Sequence, residues 1–170
     1  MLTQHTTTRD AGHPFDQHSA DITLHTSDSV CFHVHSQILS QASPVFATIL
    51  SLPQPADNTH LGSPGRPVVH LAEDSNALEP LLRICYPVHK PVLQHLDEIQ
   101  PALETAIKFD MKWPTEELIG RFLTCAAQDP FRVWAFGCRH GLEHVARGGA
   151  EALRVSLLEE ERKNIVFLPT

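Results

Sequence analysis

The run Asp21-Ile-Thr-Leu-His-Thr-Ser-Asp-Ser-Val-Cys-Phe-His-Val-His35 decides how the rest of the chain is read. Apolar and polar residues alternate on both sides of Ser27-Asp28-Ser29, with Ile22 and Leu24 before it and Val30, Phe32 and Val34 after it. Alternation with a period of two marks a strand that turns one face to a core, and a polar triplet between two such runs predicts a β-hairpin. Pairing would set Ile22, Leu24, Phe32 and Val34 inward, and His25, Cys31, His33 and His35 on the other face, with His25 across from Cys31. The preceding residues 1–20 offer little besides Leu2 and Phe15 as large apolar groups. So little hydrophobic surface does not repay ordering entropy, and a mobile N-terminal arm is expected.

After the hairpin, Ile38 and Leu39 form a short polar-flanked segment. Ser43-Pro44 then places a capping hydroxyl before a proline at the first helical position, predicting a helix to about Leu50 with Phe46 on its buried face. Residues 52–67 hold four prolines and two glycines, which excludes helix and central strand and predicts an exposed loop. Val68, Val69 and Leu71 make a short strand. Asn76 with Glu79 resembles a capping box opening a helix through Leu78, Leu81, Leu82 and Cys85, with Pro80 in its first turn. Period-3.6 stripes predict helices through Ile99, Leu103 and Ala106, and through Leu118, Ile119 and Phe122. Asp129-Pro130 opens another through Val133, Trp134 and Phe136, the tryptophan read as core, and after Gly141 a last one runs through Leu142, Val145 and Leu157. No internal repeat is evident. A small sheet with many helices is an α+β domain followed by a helical pair.

Composition narrows the function. A net charge of −7 repels phosphate backbones and anionic lipid, so neither nucleic acid nor a membrane surface is an expected partner. The 42 % hydrophobic content with 19 % charged residues is globular, and no apolar run reaches the roughly 18 residues of a membrane span. Met1 to Ala20 lacks the basic start and apolar stretch of a signal peptide. Cys31, Cys85, Cys125 and Cys138 are widely spaced without a C-x-x-C pair and read as reduced thiols. A cytoplasmic or nuclear location is expected. Twelve histidines would carry the charge from −7 to +5 on full protonation, near the ordinary histidine pKa of about 6.5.

Two groupings invite a metal reading. His140-Gly-Leu-Glu-His144 matches the H-x-x-E-H pattern of a zinc protease, but Gly141 weakens the helical spacing and few residues follow to supply a third ligand. His25, Cys31, His33 and His35 share one face of the predicted hairpin and form the second candidate, a histidine-based zinc site. A polar helix face and packed strand residues account for both groups better, so no metal and no cofactor is expected. Neither a nucleophile elbow nor a phosphate-binding glycine loop occurs. Glu116-Glu117 and Glu159-Glu160-Glu161 read as solvated helix faces. No enzyme activity is expected.

The order of elements and several strings together resemble a BTB/POZ domain, in particular the many variants of mushroom-forming fungi. They are Asp21-Ile-Thr-Leu24, Phe32-His-Val-His35 leading to Ile38-Leu39, Ser43-Pro-Val-Phe46, Leu81-Leu-Arg-Ile-Cys-Tyr-Pro87, Ala106-Ile-Lys-Phe-Asp-Met111 and Asp129-Pro-Phe-Arg-Val-Trp-Ala-Phe136. The resemblance spans residues 21 to 158. It implies a BTB/POZ-like small β-sheet flanked by helices over 21–127 and a helical extension and tail over 128–170. The function it implies is a non-enzymatic protein-protein interaction module, with an adaptor for a cullin ubiquitin ligase as the alternative. Three departures qualify it. Relatives usually carry Lys or Arg after the histidine matching His35, where this chain has Ser36 opposite Asp21. The apolar-x-Glu string of cullin binders is replaced by Leu50-Ser51-Leu52-Pro53, and Tyr-Thr-Gly by Tyr86-Pro87-Val88. Leu50, Leu52 and Trp113 are the expected partner-binding residues. Phe15, Gln37 and Gln41 are the expected contacts for any self-association, and that surface is polar enough to predict a weak homodimer or none.

Overall fold

The computed structural model describes residues 8–52 and 66–166, with side chains described to Arg162. The chain divides into two compact units. One holds the described residues up to Val92 together with Pro101–Thr115, and the other holds Leu93–Gln100 and the described residues from Glu116 onward. The expected boundary at 127–128 thus lies inside the second unit. No helix among the described residues is long and apolar enough to cross a membrane.

The first unit is built on a four-stranded sheet in the order β1-β3-β2-β4, formed by β1 (Arg9–Asp10), β2 (Ile22–His25), β3 (Val30–Val34) and β4 (Val68–His70). The hairpin has the expected register, pairing Ile22 with Val34, Leu24 with Phe32 and His25 with Cys31. Its turn is set by Ser29 in the left-handed region at φ 64° and by the Thr26 hydroxyl, which accepts the Val30 N–H at 3.0 Å. Both alternating sets are covered: Leu24 and Phe32 are fully buried, and so are Thr23 and Cys31 at 0 % and 1 % exposure. The face assigned to His25, Cys31 and His33 is therefore not a solvent face.

The expectation of an arm outside the core fails for its described part. β1 runs parallel to β3, Ala11 donates its N–H to the Cys31 carbonyl at 2.8 Å, and the Phe15 carbonyl accepts the His33 N–H at 2.8 Å. Phe15 is fully buried, packed edge-on against Phe32 at 5.6 Å and Tyr86 at 5.4 Å. One aromatic anchor and a row of backbone hydrogen bonds compensate for the scarcity of apolar residues.

Helices α1 (Ser36–Ala42), α2 (Pro44–Ser51) and α3 (Ser75–Cys85) pack in this unit with the carboxyl-terminal part of α4 (Leu96–Lys108). Ser43 caps α2 as its sequence predicts, accepting the Phe46 N–H at 2.9 Å while donating its hydroxyl to the Phe109 carbonyl at 2.5 Å. Phe46 stacks on Phe109 at 4.5 Å, and Phe46 and Leu82 are fully buried as expected. The cap of α3 is Asp74, accepting from the Ala77 N–H, rather than Asn76. Pro80 is consequently the sixth helical residue, past the first turn. It removes one helical hydrogen bond, and the helix persists because buried Leu78, Leu81 and Leu82 hold it against the core.

In the second unit α5 (Lys112–Thr124) contributes its later turns beside α6 (Pro130–Arg139) and α7 (Glu143–Val166). Asp129 caps α6 by accepting the Arg132 N–H, and Gly141 at φ 66° reverses the chain into α7. Two glycines let α6 and α7 meet backbone to backbone. A Cβ on Gly137 would lie 2.2 Å from the Ala146 nitrogen, and one on Gly149 would lie 2.3 Å from the Trp134 nitrogen. With its backbone against Gly149, Trp134 keeps its ring at the rim beside Phe131 at 5.4 Å, 39 % exposed, so its assignment to the core is corrected.

Gly137→Ala should lower the melting temperature although alanine is favoured in a helix by about 1 kcal/mol, because separating two backbones costs about 1–3 kcal/mol. Gly120→Ala, whose Cβ meets nothing within 4 Å, should leave the melt unchanged or raise it. Calorimetry of the two variants checks this.

Candidate interaction surface

In the first unit an open groove of about 680 Å³ lies among the ends of its helices. Ile38, Gln41 and Ala42 of α1 form one wall, Ile84, Cys85 and Pro87 at the end of α3 another, and Asp110, Lys112 and Trp113 of the α4–α5 turn a third. Asp110 sits in the left-handed region at φ 49°, which turns the chain sharply enough that the Met111 N–H reaches the Ala106 carbonyl at 2.9 Å. The next helix starts at once and presents Trp113, 59 % exposed as a residue, with the Lys90 ammonium 5.5 Å from the ring centre. A large amphipathic ring with a cation on its face is suited to contact another protein. Burial pushes the Cys85 thiol up to about 11, so at neutral pH it is a protonated wall and no nucleophile.

A second recess of about 400 Å³ is lined by Asp21, Ser36, Ser40, Leu50 and Pro67. Ser36 donates both its N–H and its hydroxyl to the Asp21 carboxylate, at 2.7 and 2.5 Å. His35 provides no side-chain cap for α1, so Asp21 takes that task from its place just before β2. Desolvation pushes the Asp21 carboxyl up, the two Ser36 hydrogen bonds pull it down, and the balance lies below the ordinary aspartate value. Asp28 repeats the arrangement at α3, accepting the Ser75 N–H at 2.8 Å and hydroxyl at 2.6 Å, and it too is held low against its own desolvation.

The expected partner residues separate. Trp113 lines the first groove, Leu50 the second recess, and Leu52 stands 58 % exposed just past α2. Of the expected self-association residues, Gln37 and Gln41 are exposed and Gln41 lies in the Trp113 groove. Phe15 is removed from that list, since its ring is spent in the core of its own chain. The loop over 53–65 lies outside the described residues. Sequence reasoning missed Tyr86, whose hydroxyl accepts the His35 N–H at 2.7 Å, and the Asp28–Ser75 pair. Both join residues far apart in the chain, and no local pattern announces them.

Neither histidine group gathers a metal site. His33 faces Thr23 Oγ1 at 3.0 Å and Asp10 at 3.3 Å, His35 faces the Tyr86 hydroxyl at 3.4 Å, and His25 meets the His70 ring edge-on at 5.0 Å. Burial and the His70 charge lower the His25 pKa, with Asp28 opposing. Gly141 separates His140 from α7, so the helical spacing of H-x-x-E-H is not realised. Among the described residues no group of three or more His, Cys, Asp or Glu is placed to hold a metal ion.

A family model for the BTB/POZ domain matches residues 13–122, more than half of the chain. The chain belongs to the BTB/POZ family. This BTB/POZ domain is a protein-protein interaction module, an α+β fold whose small sheet and flanking helices are those described above. No curated protein matches the chain. In this BTB/POZ domain two hydrogen bonds from Ser36 hold the Asp21 carboxylate.

Ser36→Ala should raise the Asp21 pKa, because the hydroxyl bond favours the carboxylate. A lowered folded pKa adds stability above the unfolded value that is lost as pH falls through the folded one. The stability difference between wild type and variant should therefore be largest near neutral pH and shrink in acid. Carboxyl carbon-13 titration and denaturant midpoints across that range measure both.

Proposed function

We propose that this BTB/POZ domain is a non-enzymatic binding module that takes a protein partner in the groove around Trp113, in the cytoplasm or nucleus. The observation that carries the reading is the exposed Trp113 ring on an open groove whose walls are apolar carbon from Ile38, Ile84 and Pro87. Cys85, the thiol in that groove, is held protonated by burial, which favours contact over catalysis.

Trp113→Ala should reduce partner affinity by about 2 kcal/mol or more, roughly thirtyfold, with an unchanged melting temperature since the ring is mostly exposed. Affinity purification with wild type, Trp113→Ala and the exposed control Val92→Ala, read by mass spectrometry, identifies partners lost with Trp113 alone. A partner set that ignores Trp113 would remove the groove from the binding surface.

A second reading, the cullin-ligase adaptor, is favoured by one feature: Leu52 is an exposed apolar residue directly past α2, the place of the apolar-x-Glu string. Pro53 follows it, and the next carboxylate in the chain is Asp57. One charge-assisted contact worth about 1.5–3 kcal/mol is absent, a ten- to hundredfold loss of affinity. Calorimetric titration with the N-terminal part of a cullin from the same organism should find binding weaker than low nanomolar. A low-nanomolar dissociation constant would put the adaptor role first.

A further inference from the structure

Eight large apolar side chains are exposed among the described residues, and five of them, Phe131, Trp134, Val155, Leu157 and Leu158, lie on α6 and α7. Helix α7 has 24 residues and α6 only 10. Covered positions on α7 end at Leu153, and every residue from Arg154 to Arg162 is exposed. On this projecting part Glu151, Val155, Leu158 and Arg162 follow at spacings of four, three and four residues, which aligns them on one face. The stripe has an apolar centre, an acid at its start and a base at its end.

Reversed end for end, such a stripe is its own complement. We propose that a second copy of this chain docks antiparallel on α7, with a two-fold axis between Ser156 and Leu157. Val155 then meets the second copy's Leu158, and Glu151 meets the second copy's Arg162, each pair occurring twice. Arg154 and Glu161 border the stripe on the same side seven residues apart, and the reversal brings each to the other copy's opposite charge. A parallel pairing would set Glu151 on Glu151 and Arg162 on Arg162, so charge selects the direction. In the single chain Arg154 grips Glu151 at 3.0 and 2.6 Å. Both groups are well exposed, and a surface pair of this kind exchanges partners at little cost. With two apolar layers at its centre the interface is a weak one.

Light scattering and sedimentation equilibrium on the full chain across the micromolar range test this. The wild-type mass should rise toward twice the monomer with concentration and fall back when salt is added. Glu151→Arg and Arg162→Glu should each weaken the dimer about tenfold or more, since each sets like charges opposite one another twice. The double variant, and an equimolar mixture of the two single variants, should both recover it. Recovery in the mixture also shows that the single variants are folded. A wild type that stays monomeric, a dimer indifferent to either charge reversal, or failure of both recoveries would overturn the proposal. Any of the last two outcomes would mean that the exposed face of α7 serves a different protein or that the copies meet elsewhere.

Discussion

Two carboxylates at the borders of one hairpin hold the first unit in register. Asp21 stands just before β2 and Asp28 in the turn after it, and each accepts the N–H and the hydroxyl of a serine that is the first residue of a helix, Ser36 of α1 and Ser75 of α3. Helix starts leave unsatisfied N–H groups and carry partial positive charge, so a carboxylate there is both an acceptor and a favourable charge. The local caps are incomplete without them: His35 provides no side-chain cap at all, and Asp74 serves only the Ala77 N–H. Helix direction is thereby tied to the sheet through hydrogen bonds between the hairpin's borders and the helix starts. The groove around Trp113 inherits this constraint, because Ile38 on α1 and Ile84 on α3 are two of its walls.

The second unit solves a different problem with different means. Its helices have no sheet to register against, and α6 and α7 are located by contact between backbones at Gly137 and Gly149. Close approach of this kind gains dispersion contacts along both helices but leaves side chains such as Trp134 and Phe131 at the rim. The later turns of α7 extend past their cover. The exposed features of each unit thus follow from how it is stabilised: a groove among helix ends in the first, an uncovered helical end in the second.

Much of this was legible from local patterns. The alternation around Ser27-Asp28-Ser29 specified the hairpin and its register, because a one-residue slip would reverse every side chain. Ser43-Pro44 and Asp129-Pro130 specified two helix starts, since a side-chain acceptor three residues before an unsatisfied N–H is a local arrangement. Apolar stripes placed Leu82 and Phe46 inside. Local reading misplaced the cap of α3 because Asp74 and Asn76 both offer an acceptor near the same turn, and only the course of the incoming chain chooses between them. It put Trp134 in the core because a tryptophan within Val133-Trp-Ala-Phe136 has the right neighbours in sequence, whereas its exposure depends on Gly149 on another helix.

The amino-acid sequence by itself determined the hairpin and its register and the starts of α2 and α6, since these follow from periodicity and capping within about a dozen residues. Only the tertiary structure decided that Phe15 is core, that His35 belongs to Tyr86, that His140 and His144 are parted by a left-handed glycine, and that Trp113 and Gln41 share a groove. Except for the local glycine, each of those outcomes joins segments far apart in the chain. Which distant segments meet is fixed by closing the whole core at once, and no local window contains that information.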